Sequence, residues 1–122
     1  MHSRRIKNNW HIIKGQPLTE LDKKVLYYQN KGHLVPPRKL IKTAEQIEGI
    51  RRSSVVNTGV LDLVAREIKA GMSTAEIDKL VYDYTVSHGA IPAPLNYEGF
   101  PKSVCTSVNN EICHGIPDKN II

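Results

Sequence analysis

Apolar residues along the chain fall into three helical rhythms and one stretch that breaks them. The first is short. Leu18, Leu21, Val25 and Leu26 or Tyr28 recur at three- and four-residue steps, so Pro17-Leu18-Thr19-Glu20 opens a helix that runs to about Asn30. Lys31-Gly32-His33 ends it, with Gly32 free to turn left-handed. Pro36-Pro37 then forces an extended connector. The second rhythm is longer. Thr43-Ala44-Glu45-Gln46 is a capping box. Ile47, Ile50, Val56, Val60, Leu61, Leu63, Val64 and Ile68 put one broad apolar face on a helix over 43 to 70. Gly59 inside it costs about 1 kcal/mol against Ala and is expected where another backbone passes close. Ser73-Thr74-Ala75-Glu76 is a second capping box. It starts the third rhythm, Ile77, Leu80, Val81, Tyr84 and His88, closed by Gly89. His88 is expected to bond the last carbonyls of this helix rather than a metal.

From Ile91 to Pro101 three prolines and a glycine exclude helix, and Tyr97 and Phe100 are the natural anchors of an ordered loop. Ser103 to Val108 reads as a strand, Asn109-Asn110 as a tight turn and Ile112-Cys113-His114 as a returning strand. Two helices packed on an antiparallel hairpin, part of a larger sheet, make the expected class α+β.

Charge divides the chain where the hydrophobic pattern does not. Residues 1 to 42 carry ten Lys/Arg and two Asp/Glu; the rest carry seven and ten, for a net charge of +5. A basic extension with a Pro-containing linker, residues 1 to 40, is therefore expected ahead of a near-neutral body, 41 to 122. The extension either contacts a polyanion such as ribosomal RNA or is simply a solvated basic face. The longest apolar run is four residues, Val25 to Tyr28, against the roughly 20 a membrane span needs. No membrane partner, no specific DNA target and no secretory signal are expected. Two cysteines are too few for a disulfide scaffold, and a reducing cytoplasm is the simpler setting.

Candidate chemistry concentrates after residue 94. The run Phe-Pro-Lys-Ser-Val-Cys-Thr-Ser-Val-Asn, 100 to 109, and the ending Cys-His-Gly-Ile-Pro, 113 to 117, closely resemble the type I methionine aminopeptidases. The stretches 41 to 51 and 68 to 78 look like the same family. The resemblance covers about 41 to 122. It implies the first half of a pita-bread (creatinase/aminopeptidase-like) fold, two αβ halves about a pseudo-twofold axis. It also implies metal-dependent removal of the initiator methionine from nascent proteins. His114 is the matching catalytic and substrate-binding residue, hydrogen-bonding the substrate beside the scissile amide, where imidazole protonates a departing amine. Tyr97, Phe100 and Cys105 match the pocket for the methionine side chain, whose thioether favours an apolar, aromatic wall. Some bacterial members have His where Glu98 stands, so Glu98 carries no assigned role. Without the resemblance, the two cysteines read as packing residues and Tyr97 and Phe100 as loop anchors.

The family enzyme holds two divalent ions of the Co, Mn, Fe, Zn or Ni class. None of its five ligands has a matching position here: the bridging Asp residues follow shortly after His114 and the others lie in the second half. No metal ligand is expected in this chain. Glu45, Glu48, Asp62, Glu67, Glu76, Asp78 and Asp83 read as solvent-facing helix positions with no His at ligand spacing. The 122 residues alone are therefore expected to be an inactive, sticky first half with uncovered apolar surface. Two other readings stay open: a truncated, non-catalytic module held near a ribosome through residues 1 to 42, and a related protein of the same fold acting on X-Pro peptides or on none.

Overall fold

A computed structural model describes residues 10 to 122. Three α-helices carry it: α1 (Glu20–Asn30), α2 (Ala44–Glu67) and α3 (Thr74–Ser87), with single 3-10 turns at Arg38–Leu40 and Tyr97–Gly99. The chain forms two compact units that divide between Ile47 and Glu48.

In the first unit, α1 starts where its cap chemistry places it. The Thr19 hydroxyl accepts from Asp22 N at 3.1 Å, and the Asp22 carboxylate accepts from Thr19 N at 2.9 Å, a reciprocal cap that satisfies two orphan donors. Gly32 takes φ +82 and Pro37 is extended, as expected. The described part of the basic segment is not merely a solvated arm, however. Trp10 is 1% exposed and Asp22 4%. Trp10 Nε1 donates to Asp22 Oδ1 at 2.9 Å, Arg38 pairs with the same oxygen, and its guanidinium lies 4.4 Å from the Trp10 ring centroid. Arg38 Nε also donates to His11 O at 3.0 Å. A buried carboxylate needs such partners. Residues 12, 16 and 28 apart in sequence supply them.

In the second unit, Val60 on α2 packs with Ile77 and Val81 on α3, and Val64, Met72, Tyr84, Val104 and Ile122 close around them. The Ser73–Glu76 box on α3 forms, as does the Thr43–Gln46 box at the start of α2, within the first unit, where Gln46 Oε1 accepts from Thr43 N at 2.9 Å. The helix expected to reach residue 70 ends at Glu67, followed by Gly71 at φ +93. Only part of the apolar face of α2 is used; Leu61 is 64% exposed and Ile50 53%. Gly59 meets a side chain, not another backbone: a Cβ there would strike Tyr84 Oη and stand 2.9 Å from Cζ.

Residues 117 to 122 return to the start of α3. Pro117 is fully buried, Ala75 N donates to Asp118 O at 2.7 Å, and Thr74 N donates to Asn120 O at 3.0 Å. Thus the orphan amides of α3 find backbone acceptors. A single antiparallel bridge, Ser73 to Ile121, completes this contact.

The hairpin is the main departure from expectation. Among the described residues no strand forms over 103 to 108 or 112 to 114; both segments are irregular. One ladder-like bond, Thr106 N to Gly115 O at 2.8 Å, joins them. Cys113 and His114 have φ of +43 and +58, outside the strand region. The physical reason is that an isolated two-stranded hairpin is marginal and needs further strands or a covering helix.

Candidate functional site

The site lies in the loops that follow α3. At the C-terminal end of that helix, His88 Nδ1 donates to Tyr84 O at 2.8 Å while its ring stacks on Tyr84 at 4.0 Å, the expected bond to the last carbonyls. Gly89 at φ +70 then releases the chain. The proline-rich loop folds by local turns. Tyr97 N donates to Pro94 O at 3.0 Å, Asn96 N to Phe100 O at 2.8 Å and Phe100 N to Tyr97 O at 2.9 Å. Asn96 at φ +64 suits a residue that tolerates the left-handed region. Glu98 at φ +48 is less comfortable.

Asp78 ties this loop to α3. Its Oδ1 accepts from Ser103 N at 2.7 Å, Lys102 Nζ stands 3.8 Å from Oδ2, and Ser103 is 5% exposed. Asp78 is thus an anchor rather than the solvent-facing acid that helical spacing suggested. Glu76 keeps its charge readily, because Ser73 N–H and then the Ser73 hydroxyl bond its carboxylate and hold its pKa below the ordinary value.

His114 is fixed by its neighbours on both sides. Gly115 approaches the Thr106 carbonyl so closely that any Cβ would collide with it, and Gly115 N donates to Ser107 Oγ at 3.3 Å. Asp118 N donates to Thr74 Oγ1 at 2.8 Å. The imidazole is left exposed, with no hydrogen bond among the described residues.

All four residues singled out from the sequence meet in one cavity. Tyr97, Phe100, Cys105 and His114 line a space of about 690 Å³, with Glu98 and Ile116 beside them. That size lies within the roughly 300–1,000 Å³ of small-molecule sites. The wall is aromatic and aliphatic, and His114 and Glu98 add an imidazole and a carboxylate to it. Ile116 was not anticipated; its alternation with His114 was the available signal. Among the described residues no group of three or more His, Cys, Asp or Glu is placed to hold a metal ion. A divalent ion therefore finds no ligand set in these residues.

Residues 48–122 match the model of metallopeptidase family M24, and the chain belongs to that family. Its relatives include a methionine aminopeptidase 1A of Arabidopsis thaliana, 54% identical over 78 residues, which are 64% of this chain and 20% of that protein. A mitochondrial methionine aminopeptidase 1D of Danio rerio is 53% identical over 78 residues, covering 64% and 23%. The crystal structure of the methionine aminopeptidase from Rickettsia prowazekii superposes with a TM-score of 0.59 at 38% identity, over 68% of this chain and 34% of that one. The pita-bread fold family is thereby supported. The chain spans about a fifth of the length of the curated relatives.

Proposed function

We propose that the protein is a metal-dependent methionine aminopeptidase that removes the initiator methionine from nascent proteins, with residues 41 to 122 as the first part of its catalytic domain. The observation that carries this reading is the convergence of Tyr97, Phe100, Cys105 and His114 on one largely apolar cavity, in a chain of which 78 residues are about half identical to methionine aminopeptidases. The aromatic wall receives the thioether, since sulfur–aromatic contacts are favourable. His114, exposed at the wall, hydrogen-bonds the peptide beside the scissile amide and hands a proton to the departing amine. The two divalent ions belong to the proposal, held by ligands other than the described residues. The segment 103 to 114 pairs as strands when neighbouring strands join it, a reading that the Thr106–Gly115 bond supports. We place the activity in the cytoplasm, a reading supported by two free thiols. The basic residues 1 to 42 would hold the protein near the ribosome.

The test is hydrolysis of Met-Ala peptides by the full-length protein. It should cleave these and leave X-Pro peptides intact. His114→Ala should lower kcat by about 10²–10⁴-fold, the usual worth of a general acid, with metal content unchanged. An unchanged kcat overturns the role of His114, and cleavage of X-Pro peptides overturns the substrate.

A further inference from the structure

The first unit presents a surface for which the peptidase reading has no use. Lys24, Tyr27, Tyr28 and Lys31 follow one another at steps of three, one and three, which puts them on one side of α1. Asp22, bonded to Trp10 and Arg38, lies on the opposite side of the helix, and Val25 is buried between the two sides. Tyr27 is 54% exposed and Tyr28 44%. Their rings meet edge to face at 5.3 Å, and Tyr28 meets His33 in the same manner at 5.6 Å. The ammonium of Lys31 stands 4.4 Å from the Tyr27 centroid. Beside these rings runs a groove of about 430 Å³ between α1 and the Leu34–Pro36 segment; its walls are apolar, with Leu21, Val25 and Val35, and Lys24, Tyr28 and His33 stand at it as the basic and aromatic members.

Charge decides the sign of the occupant. Between residues 10 and 42 the acids are Glu20 and Asp22, and both are engaged. Glu20 pairs with Lys23 at 2.6 Å, and Asp22 pairs with Arg38. Lys14, Lys24, Lys31, Lys39 and Lys42 have no ion pair among the described residues. The occupant is therefore anionic. Ring geometry decides its kind. An acidic peptide satisfies the lysines and makes no use of the exposed tyrosine rings. A single-stranded nucleic acid uses both, because bases stack on exposed aromatic rings while phosphates meet the ammonium groups. The His33 ring beside the stack offers a partner to a 2′-hydroxyl.

We propose that this face of α1 binds single-stranded RNA, with Tyr27 and Tyr28 stacking bases and Lys24 and Lys31 contacting phosphates. The inference turns the ribosome-proximity reading from a charge balance into a surface, and it does not depend on the peptidase activity.

The experiment is fluorescence anisotropy of a labelled oligo-uridylate of about a dozen nucleotides, titrated with the protein across a salt series. Wild type should bind at low salt. Tyr27→Ala with Tyr28→Ala should weaken binding about tenfold or more at an unchanged salt slope, and the double Phe variant should restore it. Lys24→Gln with Lys31→Gln should reduce the log–log slope by about 1.4, at roughly 0.7 per phosphate on a single strand. The emission of Trp10, the chain's single tryptophan, reports that the unit stays folded in each variant. Absence of binding at low salt, a loss that follows total charge alone, or equal binding of polyglutamate would overturn the proposal. Ribosome co-sedimentation is measured alongside. Oligonucleotide binding without co-sedimentation upholds the surface and refutes ribosome proximity. Co-sedimentation without oligonucleotide binding refutes the surface.

Discussion

Residues 10 to 47 and residues 48 to 122 both fix helices without a large core, and they do so with different chemistry. In the second unit, Val60, Ile77 and Val81 exclude water from a helix pair, and the 117 to 122 segment caps one end with backbone groups. In the first, the centre is polar: one carboxylate, Asp22, collects an indole, a guanidinium and a capping hydroxyl. Apolar packing tolerates modest changes of shape. A buried polar network does not, because removing one member leaves the others unsatisfied. The comparison teaches where each unit is vulnerable: the first at single polar or aromatic residues, the second at points of close approach.

The largest expected effect is Trp10→Ala. Truncating a fully buried tryptophan costs about 3–5 kcal/mol, and here it also strips Asp22 of a donor and Arg38 of its ring. Amide hydrogen exchange should show protection lost over α1 and kept over α3. Equal loss in both helices would refute the division into two separately stabilised units.

Next comes Gly115→Ala. The added methyl has no free space, since its Cβ would collide with the Thr106 carbonyl oxygen and lie 2.8 Å from Thr106 C and from Glu111 Oε2. Overpacking of this kind costs about 1–3 kcal/mol. A urea titration followed by circular dichroism should show the loss, and NMR should show shifted His114 ring signals, because the Thr106–Gly115 bond sets that residue's position. Unchanged His114 signals would mean that the loop is held elsewhere.

What the sequence disclosed follows the same division. The starts of α2 and α3 were legible because capping is local: Thr43 and Ser73 act on residues three positions away, whereas α1 was placed without its Thr19–Asp22 cap being read. The cavity was legible through motif resemblance, not spacing, since Tyr97 and His114 lie 17 positions apart. The hairpin was misread because residues with strand propensity still need ladder partners. The Trp10–Asp22–Arg38 cluster escaped entirely: no periodicity joins an aromatic in an unpatterned segment to a helix residue and an arginine after a proline pair. Asp78 escaped for a related reason, as a helical period says which face a carboxylate occupies and not which loop amide will reach it.

The smallest and most selective effect is on pH dependence. Asp22 is lowered from an ordinary 3.8 to about 2, first by the Thr19 hydroxyl, then by the Thr19 amide, with Trp10 and Arg38 adding to it against the opposing effect of burial. A carboxylate with a depressed native pKa binds fewer protons folded than unfolded. Its stabilisation is therefore complete above about pH 4 and is lost as pH falls toward 2. Glu76 caps α3 in the same manner and is shifted in the same direction, so circular dichroism alone would mix the two units. Trp10 emission separates them, because the lone indole donates directly to Asp22. Its denaturation midpoint should fall between pH 4 and 2, and Asp22→Asn should flatten that dependence while weakening the unit at neutral pH. Thr19→Ala should move the transition to higher pH, since it removes the largest cause of the depression. A Trp10 midpoint indifferent to acid in the wild type would mean that the indole, the guanidinium and the hydroxyl hold together without the carboxylate's charge, and packing of the Trp10 ring rather than the polar network would then hold the first unit.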